Sequence, residues 1–158
     1  MSAESSWKAR LERLGLALPE VVAPLAAYVP AVRTGNLVYT SGQLPMQGGA
    51  LVGTGKVGAG VTPEEANAMA RLCALNALAA VDSVTGLDSV TRVVKVVGFV
   101  ASAPGFNGQP AVVNGASELL GEVFGDAGAH ARSAVGVSEL PLDAPVEVEL
   151  IVEVGQPQ

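Results

Sequence analysis

The sequence is poor in the residues on which most covalent and metal chemistry depends. Among 158 residues there is one cysteine, Cys73, and one histidine, His130. A lone cysteine closes no internal disulfide, and Cys73 falls within an Ala-rich helical pattern where a small apolar residue is expected, as in a reducing cytoplasm. One His, one Cys and no carboxylate cluster at ligand spacing leave no donor set for zinc or calcium, so no metal is expected. A Ser-His-Asp triad has no G-x-S-x-G elbow to build on, and His130, in a Gly/Ala stretch, reads as a solvated loop residue. Basic charge is scarce too: nine Lys plus Arg against fifteen Asp plus Glu give a net charge of −6. A field of that sign repels a phosphate backbone, and the densest basic stretch, Lys8, Arg10 and Arg13, is broken by Glu4 and Glu12 into an ordinary solvated helix face. Nucleic acid is not an expected partner. No run approaches about 18 apolar residues free of Gly, Pro or charge, and Met1 to Gly15 alternates charged with apolar residues, so neither a membrane span nor an export signal is expected. The expectation is a cytoplasmic protein.

What is present is material for one core. At 49% hydrophobic composition the chain supports a single domain over 1–158, with an ancillary N-terminal helix inside 1–18. Trp7, Leu11 and Leu14 fall at i, i+4 and i+7, which predicts a short amphipathic helix over Ser5 to Leu14 that acts as a lid. Pro19, Pro24 and Pro30 keep the following chain extended. Thr34-Gly35-Asn36 supplies turn chemistry between Tyr28–Arg33 and Leu37–Ser41, a predicted β-hairpin. Thr62-Pro63-Glu64-Glu65 is a helix start: Thr62 as N-cap, Pro63 at the first helical position and Glu65 completing a capping box. Small and apolar residues then recur at three- and four-residue spacing from Ala66, so the helix runs to about Val84 and stops near Gly86. A second helix is predicted over Pro110 to Phe124, with Gly125 after its end.

Strands are predicted at Val90–Val100, Arg132–Val137 and Val146–Val154. The last alternates, with Val146, Val148, Leu150, Val152 and Val154 on one face and Glu147, Glu149, Ile151 and Glu153 on the other. Strands and helices in this order describe an α+β protein whose sheet carries its helices on one face. The strand at Val90–Val100 is apolar both ways: Val94, Val96 and Val100 point to one side, Val93, Val97 and Phe99 to the other. Two helices cover one face of such a sheet, so its second face is expected to meet a copy of the same chain.

Three motifs bear on function. Gly53-Thr54-Gly55-Lys56-Val57-Gly58 matches G-x-G-x-x-G letter for letter, but only Leu51-Val52 precedes it and the helix starts as late as Pro63; it reads as a flexible loop, not a nucleotide site. In His130-Ala131-Arg132-Ser133-Ala134-Val135-Gly136-Val137, an arginine opens an otherwise small and apolar strand. Its guanidinium needs an anion, either a ligand carboxylate gripped at two points or a nearby Glu in a structural ion pair. Glu147 either polarises a water as a general base or faces solvent like Glu149 and Glu153.

Together these residues resemble a known family. Tyr28 is followed by Gly35-Asn36-Leu37, then Thr40-Ser41-Gly42-Gln43-Leu44-Pro45, Arg132-Ser133, Leu140-Pro141 and Val146-Glu147-Val148-Glu149. Over nearly the whole chain this order and spacing resembles the YjgF/RidA group, also described as endoribonuclease L-PSP or chorismate-mutase-like proteins. The resemblance implies a chorismate-mutase-like mixed sheet with two helices on one face, assembled as a homotrimer with clefts between subunits. It implies that Arg132 grips a substrate carboxylate, that Tyr28, Ser41, Gly42 and Asn114 line the cleft, and that Glu147 positions a water. The implied reaction is hydrolysis of enamines or imines to 2-oxo acids and ammonia, without metal or organic cofactor; the alternative is a non-catalytic module binding carboxylate metabolites. The family's ribonuclease and translation-inhibitor label is disfavoured here by the net charge. Two departures stand out. Ala134 replaces the cysteine found two residues after the arginine in many members, and the Gly53–Gly60 loop and N-terminal helix are additions, which suggests a divergent subgroup.

Overall fold

The structure, a computed structural model, describes residues 6–155. In chain order these form α1 (Trp7–Arg13), β1 (Ala31–Thr34), β2 (Leu37–Thr40), β3 (Met46–Gln47), β4 (Ala50–Leu51), α2 (Pro63–Thr85), β5 (Val90–Ala101), α3 (Gln109–Phe124), β6 (Ala131–Val137) and β7 (Val146–Val154). Five strands make one sheet in the order β1-β2-β7-β5-β6, and β3 pairs with β4 alone. Only β5 and β6 run parallel, so the sheet is mixed, joined by the crossover through α3. The architecture is the expected α+β one.

α2 begins and ends where its local chemistry dictates. Thr62 Oγ1 accepts the Glu65 N–H at 3.1 Å, and Gly86, at φ 79°, closes the helix with its own N–H on the Asp82 carbonyl. Such an N-cap contributes about 1 kcal/mol. The face of α2 that is rich in alanine, with Ala66, Ala70, Ala74 and Ala77 fully buried, packs close to the sheet and to α3. Gly115 of α3 has no room for a Cβ, because the Asn67 carbonyl of α2 occupies that place; Asn67 also donates to the Ala111 carbonyl at 2.8 Å. By length and composition α2 could cross a bilayer, yet it is the core helix of this fold. The valines and leucine of β7 alternate as expected: Val146, Val148, Leu150, Val152 and Val154 are buried beneath the helices.

The opposite face of the sheet is open. Val32, Tyr39 and Val135 are 52%, 42% and 42% exposed, and Val97, Phe99 and Ile151 between them are partly covered. The second apolar face expected from the patterning of β5 is therefore present, and it is open on the single chain.

Four expectations are corrected. Val93 does not share a face with Val97 and Phe99: register shifts between Val90 and Arg92 and between Val93 and Lys95 turn Val90, Val93 and Val96 all towards the helices. Tyr28 lies outside the hairpin, on an extended strap over residues 17–30, and β1 starts only at Ala31. The Gly53–Gly60 segment is not a loose loop: Val57 is fully buried, its N–H donates to the Ala101 carbonyl at 2.8 Å and its carbonyl accepts from Ala103 at 2.9 Å, extending the end of β5. α1, which starts at Trp7 (Ser5 lies outside the described residues), is a clamp instead of a lid. Trp7 Nε1 donates to the Val90 carbonyl at 2.8 Å at the start of β5, its ring meets Phe124 edge-on at 5.1 Å, and Arg10 Nε reaches the Glu122 carbonyl at 2.9 Å, the last two at the C-terminal end of α3.

Candidate functional site

Arg132 stands near the start of the edge strand β6, paired with Val96. Its side chain turns towards α3, where Nη1 donates to Asn114 Oδ1 at 2.7 Å and Ser117 Oγ at 3.2 Å, and Nη2 makes a longer contact to the Pro110 carbonyl at 3.4 Å. Asn114 and Ser117 are three residues apart and so share one face of the helix. All these acceptors are neutral. Among the described residues no carboxylate pairs with Arg132, so the structural ion pair considered from sequence does not form, and Nε carries no hydrogen bond. The guanidinium is held through Nη1 and, at longer range, Nη2, and its Nε edge is left as a donor for an anion.

His130 supports this arrangement and is not the solvated residue expected. Its Nδ1 lies 2.6 Å from the Gly128 carbonyl, which can only accept, so Nδ1 carries the hydrogen of the neutral ring. Nε2 is then an acceptor, 2.8 Å from Ser117 Oγ, and the Ser117 hydroxyl donates to it. That fixes the hydroxyl hydrogen and leaves the oxygen lone pairs for Arg132. The chain Gly128, His130, Ser117, Arg132 is an orienting relay. It is not a hydrolytic triad, because a backbone carbonyl stands in place of the acid and the serine oxygen is engaged by the guanidinium. Signals for it were present: His130 precedes Arg132 by two residues at the mouth of β6, and Ser117 follows Asn114 by about one helical turn.

A second group forms where β2 meets β7. Tyr39 pairs with Ile151 and Gln43 with Val148, so four residue steps on one strand face three on the other. This bulge is bridged by Thr40, whose Oγ1 accepts the Leu150 N–H at 3.0 Å. Ser41 and Gly42 sit in it. Ser41 is tied to the strap through Oγ, which donates to the Val29 carbonyl at 2.6 Å, and through its N–H to the Pro30 carbonyl at 2.8 Å. The carboxylate of Glu147 occupies the place a Cβ on Gly42 would take. Tyr28 is 45% exposed on the strap, and its hydroxyl accepts the Leu25 N–H at 3.2 Å. The Glu147 carboxylate accepts no hydrogen bond from the described residues. Burial first, and the neighbouring Glu149 second, raise its pKa above the ordinary 4.5. A half-buried, unpaired carboxylate with a raised pKa is a better base than a solvated one.

The sequence-predicted residues therefore fall into two groups. Arg132 and Asn114 are in contact, and Ser41, Gly42, Tyr28 and Glu147 cluster elsewhere. Glu147 lies opposite Phe99, and Phe99 opposite Val135, so Arg132 is two strands across and three residues along, roughly 14 Å between Cα atoms. The side chains also leave opposite faces of the sheet, since Arg132 reaches α3 whereas Glu147 alternates with the helix-covered Val146 and Val148. One chain holds two half-sites. Ala134, in register with Gly98, packs against the core and adds no polar group near Arg132.

Known proteins place this geometry. The family model described as "YjgF/chorismate mutase-like, putative endoribonuclease" matches residues 8–154. Protein TCP17 of Trypanosoma cruzi is 47% identical over 151 residues, 93% of each chain. The 2-iminobutanoate/2-iminopropanoate deaminase of Dermatophagoides farinae is 34% identical over 138 residues, 87% of this chain and 93% of that one. Among solved structures, Atu1372 of Agrobacterium tumefaciens, a protein of unknown function, superposes with a TM-score of 0.87 at 46% identity, covering 94% of this chain and 92% of its own. E. coli TdcF, solved with bound serine, superposes with a TM-score of 0.56 at 28% identity, covering 87% and 93%. The higher similarity to TCP17 and Atu1372 than to TdcF marks a distinct subgroup. By fold, motif order and sequence, this chain belongs to the YjgF/RidA family.

Proposed function

We propose that the protein is a cofactor-free imine hydrolase, assembled as a homotrimer in which Arg132 of one subunit and Glu147 of the next complete each cleft. The observation that carries this reading is the split of the site: an arginine with an unused Nε edge lies on the helix side of the sheet, whereas the carboxylate base lies on the open apolar side that a second copy would cover. Serine bound to TdcF supports a small carboxylate metabolite as ligand, and the deaminase name of the Dermatophagoides relative supports the reaction.

The chemistry follows from the groups. Arg132 takes the substrate carboxylate in a two-point, charge-assisted contact and so fixes the adjacent imine carbon. Glu147 accepts a proton from water as the water oxygen adds to that carbon. Glu147 passes that proton to nitrogen and then takes the one left on the new hydroxyl; the C–N bond breaks as the C=O forms, and ammonia and a 2-oxo acid leave. Ser41 and Tyr28 anchor the strap beside the reacting carbon, and Gly42 leaves room for the base.

The test generates imino acids in situ with an amino-acid oxidase and follows 2-oxo acid and ammonia with and without the protein. Acceleration over spontaneous hydrolysis that is lost in Arg132→Ala is the expected result. No acceleration across several imino acids, with carboxylate binding retained by titration, would instead make this a metabolite-binding module.

A further inference from the structure

Beside the Glu147 half-site lies an open cavity of about 640 Å³, bounded by the proline-rich strap at 17–30, the middle of α2 and the segment at 42–49. Its wall is mainly apolar, with Val22, Leu25, Leu44, Leu72 and Leu75 among the lining, and among the described residues Glu20 is its one charged lining residue. Two of its three amide side chains are tied to backbone: Asn76 Nδ2 donates to the carbonyls of Leu44 and Met46, both at 3.1 Å, while its Oδ1 is buried without a partner among the described residues, and Gln43 Nε2 points to the Ser41 carbonyl at 3.4 Å; the third, Gln47, is exposed at the rim. The cavity therefore has apolar surface to give and little hydrogen bonding.

We infer that this cavity receives the side chain of the substrate, and that the substrate class is 2-imino acids with an extended apolar side chain. The inference rests on the imine-hydrolase reading of the site and adds the group that reading leaves open. A trigonal imine carbon has three substituents. The carboxylate goes to Arg132 of the adjoining subunit, the nitrogen stays with the proton-carrying Glu147, and only the side chain remains to be housed. Gly42 connects the two spaces, since it touches the Glu147 carboxylate and also forms part of the cavity wall; Tyr28 borders the cavity beside it. A methyl or ethyl group would leave most of the volume unused, because cavities of roughly 300–1,000 Å³ are the size that encloses much larger ligands. A polar side chain would lose water against mostly apolar walls and find few partners, Gln47 being the lining amide left unengaged, and an anionic one would meet Glu20.

The test is a series of imino acids made in situ from straight-chain 2-amino acids of increasing length, with the glutamate-derived imine as control. The expected result is a rise in kcat/KM of roughly three- to fourfold per added methylene over the first few carbons, with the anionic control poorest. Leu25→Trp, on the exposed strap, and Leu75→Trp, on α2, are each expected to flatten the series by filling the cavity; Leu25 is more than half exposed, so its variant keeps the test alive if Leu75→Trp fails to fold. A flat or falling series in the unmodified protein overturns the inference while leaving imine hydrolysis standing. If no imine is hydrolysed at all, the same series of 2-oxo acids is titrated by calorimetry. Affinity that climbs with chain length and is lost in Leu25→Trp supports the cavity assignment, and affinity independent of length overturns it.

Discussion

The carboxylate of Glu147 and the α-carbon of Gly42 are in such close contact that any side chain at 42 would displace the base. Gly42→Ala is therefore expected to remove most of the hydrolytic activity, because Glu147 must swing out of its position. The forced shift also costs stability, about 1–3 kcal/mol. Parallel activity and thermal-melting measurements check both. Full activity in Gly42→Ala would separate Glu147 from the chemistry.

The relay behind Arg132 makes a graded prediction. Arg132→Ala removes a charge-assisted contact of about 1.5–3 kcal/mol, so KM should rise roughly 10- to 150-fold. Ser117→Ala and His130→Ala only loosen its orientation, at about 0.5–1.5 kcal/mol, and should raise KM some two- to tenfold with kcat little changed. His130→Asn can still donate and accept, and is expected to recover part of the loss. Steady-state kinetics on one imino acid separates the three cases.

Glu147 predicts two pH effects of opposite use. As a base it must be ionised, so kcat/KM should fall as pH drops through its raised pKa, and Glu147→Gln should lack that limb as well as the activity. For stability, the folded protein holds the Glu147 proton more tightly than the unfolded chain does. Between the ordinary value of 4.5 and the raised one, the native state binds more protons, so this group's contribution worsens as pH rises through that window. Glu147→Gln should therefore be the more stable protein at neutral pH, with the difference closing as pH falls. Urea unfolding at several pH values tests this.

Cys73 is fully buried, and burial first, then the charge of Glu147, hold its thiol well above the usual range. A thiol so held offers little thiolate. It should resist thiol reagents in the native protein and react at the rate of unfolding; fast reaction would mean that α2 opens locally.

Much of this was legible in the residues. Thr62-Pro63 and Gly86 marked the ends of α2 because capping is a local event, and the alternation of β7 showed which face meets the helices. The face of Val93 was not legible, since a valine looks the same on either side of a strand and the bulges that turn it are set by pairing with β7. The same holds for Val57, whose burial depends on Ala101 and Ala103, more than forty residues away in sequence. His130 was misread because its partner, Ser117, comes from another element. Arg132, Asn114, Gly42 and Glu147 were found through motif order, but their division into two half-sites emerged only from the strand order, which places β7 and β6 on either side of β5.

The central claim, that each site is completed by a neighbouring copy, is tested most directly by subunit mixing. Assayed at substrate well below KM, Arg132→Ala is expected to keep about a tenth or less of the activity as a pure trimer, and Glu147→Gln to have essentially none. Co-refolded in equal amounts, they form some clefts in which an intact Arg132 faces an intact Glu147, about one quarter for random assembly. Recovery of activity to about that fraction of the unmodified protein is the predicted result. A mixture as inactive as its parents, despite exchanged subunits, would contradict the shared site.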